Sequence, residues 1–228
     1  MKEIVVWLIH TPAGTIGLVA ATVALSAKKG TALHRKAGTY FTISMLIMLT
    51  SGFVAAFLKD STGDMFLSSV VMYTVFTAWL TVHHKKNETG FLEGVALVWI
   101  IAVAIAAFLM SSSSNSSDVA TPNLYFFWTG FSLLCAVGDV RNLYLAGLSG
   151  IQRLIRHVWR IGFSIIWAAL ALTDKIVKMR GSNVKEMPEE QVLYIVAVPT
   201  MFILTIFLYW IINILFFSRD KYTDNGAK

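Results

Sequence analysis

Residues 37–58 read AGTYFTISMLIMLTSGFVAAFL and hold no Asp, Glu, Lys, Arg or His. The apolar positions run around every side of a 3.6-residue period, not along one stripe, which is the pattern of a helix with apolar surroundings on all faces. A spanning helix needs about 20 mostly apolar residues. The run is continuous, without the period-2 alternation of a barrel strand. This stretch therefore reads as a transmembrane helix.

The same reading extends outward to seven spans: 4–27, 37–58, 65–82, 91–110, 124–140, 154–173 and 192–217. Together they use up most of the 228 residues and leave no room for a separate soluble domain. The chain is 56% hydrophobic and only 14% charged, against roughly a quarter charged in soluble domains. The expectation is an all-α, polytopic transmembrane helical bundle forming a single integral membrane domain over 1–228. The first run is expected to be retained. "ALSAKKG" faintly suggests a cleavage site, but the start "MKE" is nearly neutral and the apolar run is long for a signal peptide.

The net charge of +6 does not point to nucleic acid. Most Lys and Arg lie in short connections, where they set topology and touch anionic headgroups. If the helices alternate, Lys28, Lys29, Arg35, Lys36, Lys85, Lys86, Arg141, Arg153, Arg156, Arg219, Lys221 and Lys228 share one side. The other side has Lys2, Lys59, and a cluster of Lys175, Lys178, Arg180 and Lys185 mixed with Glu186, Glu189 and Glu190. The richer side is expected to be cytoplasmic, giving an external N-terminus and a cytoplasmic C-terminus. The connection 111–123, rich in Ser and Asn, reads as an outer loop. Pro188 is placed to start the last helix, and no internal repeat is visible.

Ionisable groups within spans cost several kcal/mol unless paired or wet, so they mark candidate sites. In "RLIRHVWRIGFS", Arg153, Arg156, His157 and Arg160 fall on one helical face. They read either as a basic pocket, for an anion, a lipid headgroup or haem propionates, or as snorkelling side chains with Trp159 as an interface anchor. Asp139, in "CAVGDVRN", is expected to pair with Arg156 or Arg160. His10 heads a face of small residues, Gly14, Gly17, Ala21 and Ala24, that lets another helix approach. It reads as an interhelical hydrogen bond or as a proton or ligand site. Ser69, Tyr73, Thr77, Thr81 and His84 trace one polar seam. Thr31 is a plausible N-cap placing His34 in the first turn of the second helix.

Taken singly, His34, His83 and His84 read first as interfacial residues. Together, His34, His84 and His157 share the cytoplasmic layer, and facing helices build cofactor sites in this way. Imidazole ligates haem iron and transition metals, and Arg156 and Arg160 would suit anionic substituents. No Walker loop, dinucleotide fingerprint, HExxH or nucleophile elbow is present, and the single Cys135 offers no disulfide or zinc motif.

Three functions stay open at this point. One is haem b or transition-metal binding, with redox exchange with a membrane partner such as quinone. The second is a small-solute transporter or permease. The third is a non-catalytic sensor or assembly subunit.

The stretch from His10 to Phe53, through Gly14, Gly17, Lys29-Gly30, His34-Arg35 and Gly38, resembles an uncharacterised bacterial family of predicted membrane proteins, domain of unknown function 2306. The later stretch with Gly138-Asp139, Arg156-His157 and Trp159-Arg160 is similar to the same family. The resemblance implies a multi-spanning protein of the bacterial plasma (inner) membrane and assigns no activity.

Overall fold

A computed structural model of the chain describes residues 2–85, 88–112, 122–179 and 187–217. Lys86, Arg180, Lys185, Glu186, most of the Ser/Asn-rich loop and the charged tail lie outside the described residues. Every regular element described is helical: α1 (Lys2–Ser26), α2 (Ala32–Leu58), α3 (Thr62–His83), α4 (Phe91–Ser112), α5 (Pro122–Tyr144) and α6 (Gly150–Met179). A last helical run follows, with α7 (Glu189–Val192), a π-helical turn (Leu193–Ala197), α8 (Val198–Ile212) and a second π-helical turn (Asn213–Phe217). The first π turn ends two residues before Pro199, whose missing N–H and ring bulk disturb the ladder one turn back.

Six of these helices are long and apolar enough to cross a membrane: Leu8–Ser26, Ala32–Leu58, Thr62–His83, Phe91–Ser112, Gly150–Asp174 and Tyr194–Phe216. By length and composition the chain is a multi-pass membrane protein. α5 is the difference from the sequence reading. At 23 residues it is long enough, but Asn123, Asp139, Arg141 and Asn142 dilute its apolar run, and it falls outside the six. Its outer face still carries exposed Phe126, Phe127, Leu133, Leu134, Val137 and Val140.

The helices outrun the apolar stretches at several ends because backbone hydrogen bonding does not stop where hydropathy does. α2 starts at Ala32, where Thr31 has extended backbone and its hydroxyl accepts the His34 N–H at 3.4 Å. Gly30 turns the chain into that cap at φ 80°, a conformation glycine adopts without steric cost.

The described chain divides into two compact units, residues 1–149 and 150–228. In the first, α1 packs on α2, α2 on α3, α3 on α4, and α5 on both α4 and α3. α3 is central, with 67% of its span buried against 17–33% for α1, α2 and α4. In the second, α6 packs against α8 and its flanking π turns. Close approach there depends on Gly162: a Cβ at that position would lie 2.6 Å from Phe207 Cδ1.

Candidate functional site

The burial of α3 decides which polar groups matter. Its seam residues Ser69, Tyr73, Thr77 and Thr81 are all buried, as is Thr74 beside them. The threonines donate to their own helix: Thr77 to the Tyr73 carbonyl at 2.7 Å, and Thr81 to the Thr77 carbonyl at 2.7 Å. Ser69 and Tyr73 instead engage other helices. Trp99 of α4 donates its indole N–H to Ser69 Oγ at 2.9 Å. Tyr73 donates its phenolic proton to Asp139 Oδ2 of α5 at 2.5 Å. The Tyr73 and Trp99 rings meet edge-on, with centroids 6.3 Å apart.

Asp139 is 1% exposed and Tyr73 0%. A buried carboxylate beside a buried phenol is the strongest polar feature of the first unit. It arises from a register on α5: Tyr125, Trp128, Ser132, Cys135, Asp139 and Asn142, at steps of three and four, form its buried face. Phe66 packs edge-on against Tyr125 at 5.5 Å, so α3 and α5 hold two cross-helix contacts on this face.

A second acid–base pair lies where α3 ends and α4 begins. His84 Nδ1 and Glu93 Oε1 are 2.5 Å apart, with side-chain exposures of 29% and 3%. The other Glu93 oxygen accepts the Gly90 N–H at 2.9 Å. Glu93 thus caps α4 from its third position, half of a capping box, while holding the imidazole. The sequence reading missed Glu93, because it stands at the first turn of an apolar run. Its signal was the glycine three residues before it, at the helix start.

The histidines do not behave as one set. His34 Nδ1 sits 2.9 Å from the Ala24 carbonyl. Lys29 Nζ donates to the same carbonyl at 3.1 Å and to that of Leu25 at 2.6 Å. Together they close the C-terminal end of α1, whose last carbonyls lack helical partners. Burial holds the Lys29 ammonium below the ordinary lysine value of 10.5.

His83 stacks on Trp79 at 4.4 Å. His10, near the other end of α1, has Nδ1 2.9 Å from the Met48 carbonyl and 3.3 Å from Ser51 Oγ. A Cβ on Gly52 would lie 3.2 Å from His10 Cε1, and one on Gly17 would lie 3.4 Å from Met45 Sδ. The small-residue face of α1 therefore meets α2, and His10 makes an interhelical bond there.

His157, Arg156 and Arg160 belong to α6 of the second unit. Arg156, Arg160 and Ser164 are buried, one turn apart, while Arg153 and His157 are half-buried. Ser164 Oγ donates to the Arg160 carbonyl at 2.8 Å, and the Arg160 guanidinium lies 5.2 Å from the Trp159 ring centroid. Among the described residues, no three His, Cys, Asp or Glu side chains gather in a metal-holding group.

No family model matches the chain. No curated protein and no solved structure matches it either.

Proposed function

We propose that this chain is a proton-linked small-solute permease of a bacterial plasma membrane. The observation that carries the reading is the buried Asp139 carboxylate accepting the Tyr73 hydroxyl between two helices of a membrane-length bundle. Ionisable groups buried among apolar helices are costly, and in membrane proteins such groups commonly mark ion and proton pathways. An ionised carboxylate only accepts hydrogen bonds, whereas a protonated one also donates. Loading one proton on Asp139 therefore rewrites the hydrogen bonding between α3 and α5. That is the local change a proton-driven carrier needs in order to bias one packing over another.

The His84–Glu93 pair supports the reading as a port. It lies eleven residues beyond Tyr73 in sequence, about 16 Å along the axis at 1.5 Å per residue. It combines a part-exposed imidazole with a buried carboxylate. Imidazole is a frequent proton shuttle. The intervening hydroxyls of Thr77 and Thr81 donate to their own helix and keep lone pairs that accept.

The test is a comparison of two transport modes in proteoliposomes, using a panel of labelled small solutes. Uptake driven by a pH gradient should be lost in Asp139→Asn. Exchange of the same solute across the membrane without a gradient should persist. Loss of neither mode, or no uptake by the wild type, would remove the reading.

One observation favours a rival. The Nδ1 atoms of His34 and His84 are engaged by a carbonyl and a carboxylate, an arrangement that orients imidazoles for ligation through Nε2. A haem or transition metal ligated through the Nε2 of His34 or of His84, with quinone-linked redox chemistry, would exploit it. Purified protein showing a Soret band or stoichiometric metal, lost in His84→Ala, would support the rival.

A further inference from the structure

We infer that the corner between α1 and α2 is a binding site for an anionic phospholipid. The inference does not rest on the permease reading. From Ile4 to Lys59 the sequence contains no Asp or Glu, yet the corner carries Lys28, Lys29, Arg35 and Lys36. Lys29 turns inward to close α1. Lys28, Arg35 and Lys36 are exposed. Arg35 donates to the Gly30 carbonyl at 2.6 Å, and none of the three pairs with a carboxylate among the described residues.

The corner joins two helices long enough to cross a bilayer, so it stands at the level of the headgroups. Its position on α2 adds a second, independent argument. Lys36 lies on the outward stripe that continues through Tyr40, Ile43 and Ile47, which are 64%, 52% and 46% exposed. A cation, then an amphipathic ring, then branched apolar side chains follow one another along one flank. That order matches a phospholipid: phosphodiester at Lys36 and Lys28, glycerol backbone by Tyr40, and acyl chain along Ile43 and Ile47. The charge complement selects an anionic headgroup over a zwitterionic one.

The test is native mass spectrometry of the full chain titrated with phosphatidylglycerol, phosphatidylcholine or soluble glycerophosphoglycerol. Lys28→Gln with Lys36→Gln removes two exposed charges. Among the described residues neither Lys28 nor Lys36 bonds a carboxylate, so the double variant should weaken phosphatidylglycerol retention by roughly fivefold per charge and leave phosphatidylcholine retention unchanged. The charge-preserving pair Lys28→Arg and Lys36→Arg should retain phosphatidylglycerol, which separates charge loss from misfolding. Lys59→Gln, at the far end of α2, should have no effect. The proposal is overturned if Lys59→Gln weakens retention equally, if the double variant changes nothing, or if glycerophosphoglycerol alone binds as tightly as the lipid.

Discussion

At the scale of single residues, one hydrogen bond concentrates the chemistry. Tyr73 is completely buried, and its hydroxyl donates to a carboxylate that is itself buried. Tyr73→Phe preserves the ring, its packing and its contact with Trp99, and removes only the donor. A side-chain hydrogen bond lost from a buried site commonly costs about 0.5–1.5 kcal/mol. Tyr73→Phe should therefore lower the melting temperature in detergent, and Tyr73→Phe with Asp139→Asn should lower it by less than the sum of the two. Strict additivity would show that the two side chains do not act together.

Lys29 offers a pH-dependent counterpart outside the spans. Its ammonium is disfavoured by burial, so its folded value lies below 10.5. A base with a lowered value binds fewer protons folded than unfolded. Its contribution is full above the unfolded value and declines as pH falls through the folded one. The melting-temperature advantage of the wild type over Lys29→Met should grow as pH rises from neutral toward 10.5. An advantage that shrinks over that interval would contradict this account of Lys29.

The residue scale is also where sequence alone reveals least. Asp139 was visible as a costly group in an apolar run, and Tyr73 as part of a seam. Their pairing was not visible, because contacts between α3 and α5 leave no local periodic mark. Glu93 was passed over, because hydropathy treats a first-turn glutamate as interface.

At the scale of elements, much more was legible. The apolar runs located each helix from α1 to α6 and the last helical run. Thr31 correctly marked the start of α2, since a cap is a local arrangement written in consecutive residues. Helix ends were underestimated where polar turns extend past the apolar core, as with α6, which continues to Met179. The small residues of α1 announced a close neighbour, but which helix it would be came from packing.

Two glycines turn this into a measurable contrast. At Gly162 a new Cβ would meet Phe207 at 2.6 Å, whereas at Gly130 nothing lies within 4 Å. Gly162→Ala should loosen α6 from α8 and lower the melting temperature, since overpacking commonly costs about 1–3 kcal/mol. Gly130→Ala should be neutral or stabilising, by up to about 1 kcal/mol from helix propensity. Equal effects on melting would contradict the packing described for the second unit.

At the scale of the whole molecule, composition established the class: a polypeptide whose solvent is largely hydrocarbon. The number of crossings was less legible, because α5 is diluted by the same polar residues that make it interesting. An α5 that crosses the bilayer puts the α3–α4 connection and the segment after α5 on the same side, with the ends of the chain on opposite sides. Single cysteines at Lys85 and Leu145, in a Cys135→Ala background, should then label from the same face with an impermeant thiol reagent. A cysteine at Ser61 should label from the other face. Labelling of Lys85 and Leu145 positions from opposite faces would show that α5 does not cross.

Proton entry into proteoliposomes tests most directly whether Asp139 carries protons, as proposed. With an internal pH-sensitive dye, an imposed inside-negative potential and a transported solute supplied outside, the wild type should acidify the lumen faster than protein-free vesicles. Asp139→Asn should slow that entry by about tenfold or more, a barrier change of about 1.4 kcal/mol. Entry at the wild-type rate in Asp139→Asn, or a wild type no faster than empty vesicles, would contradict the account.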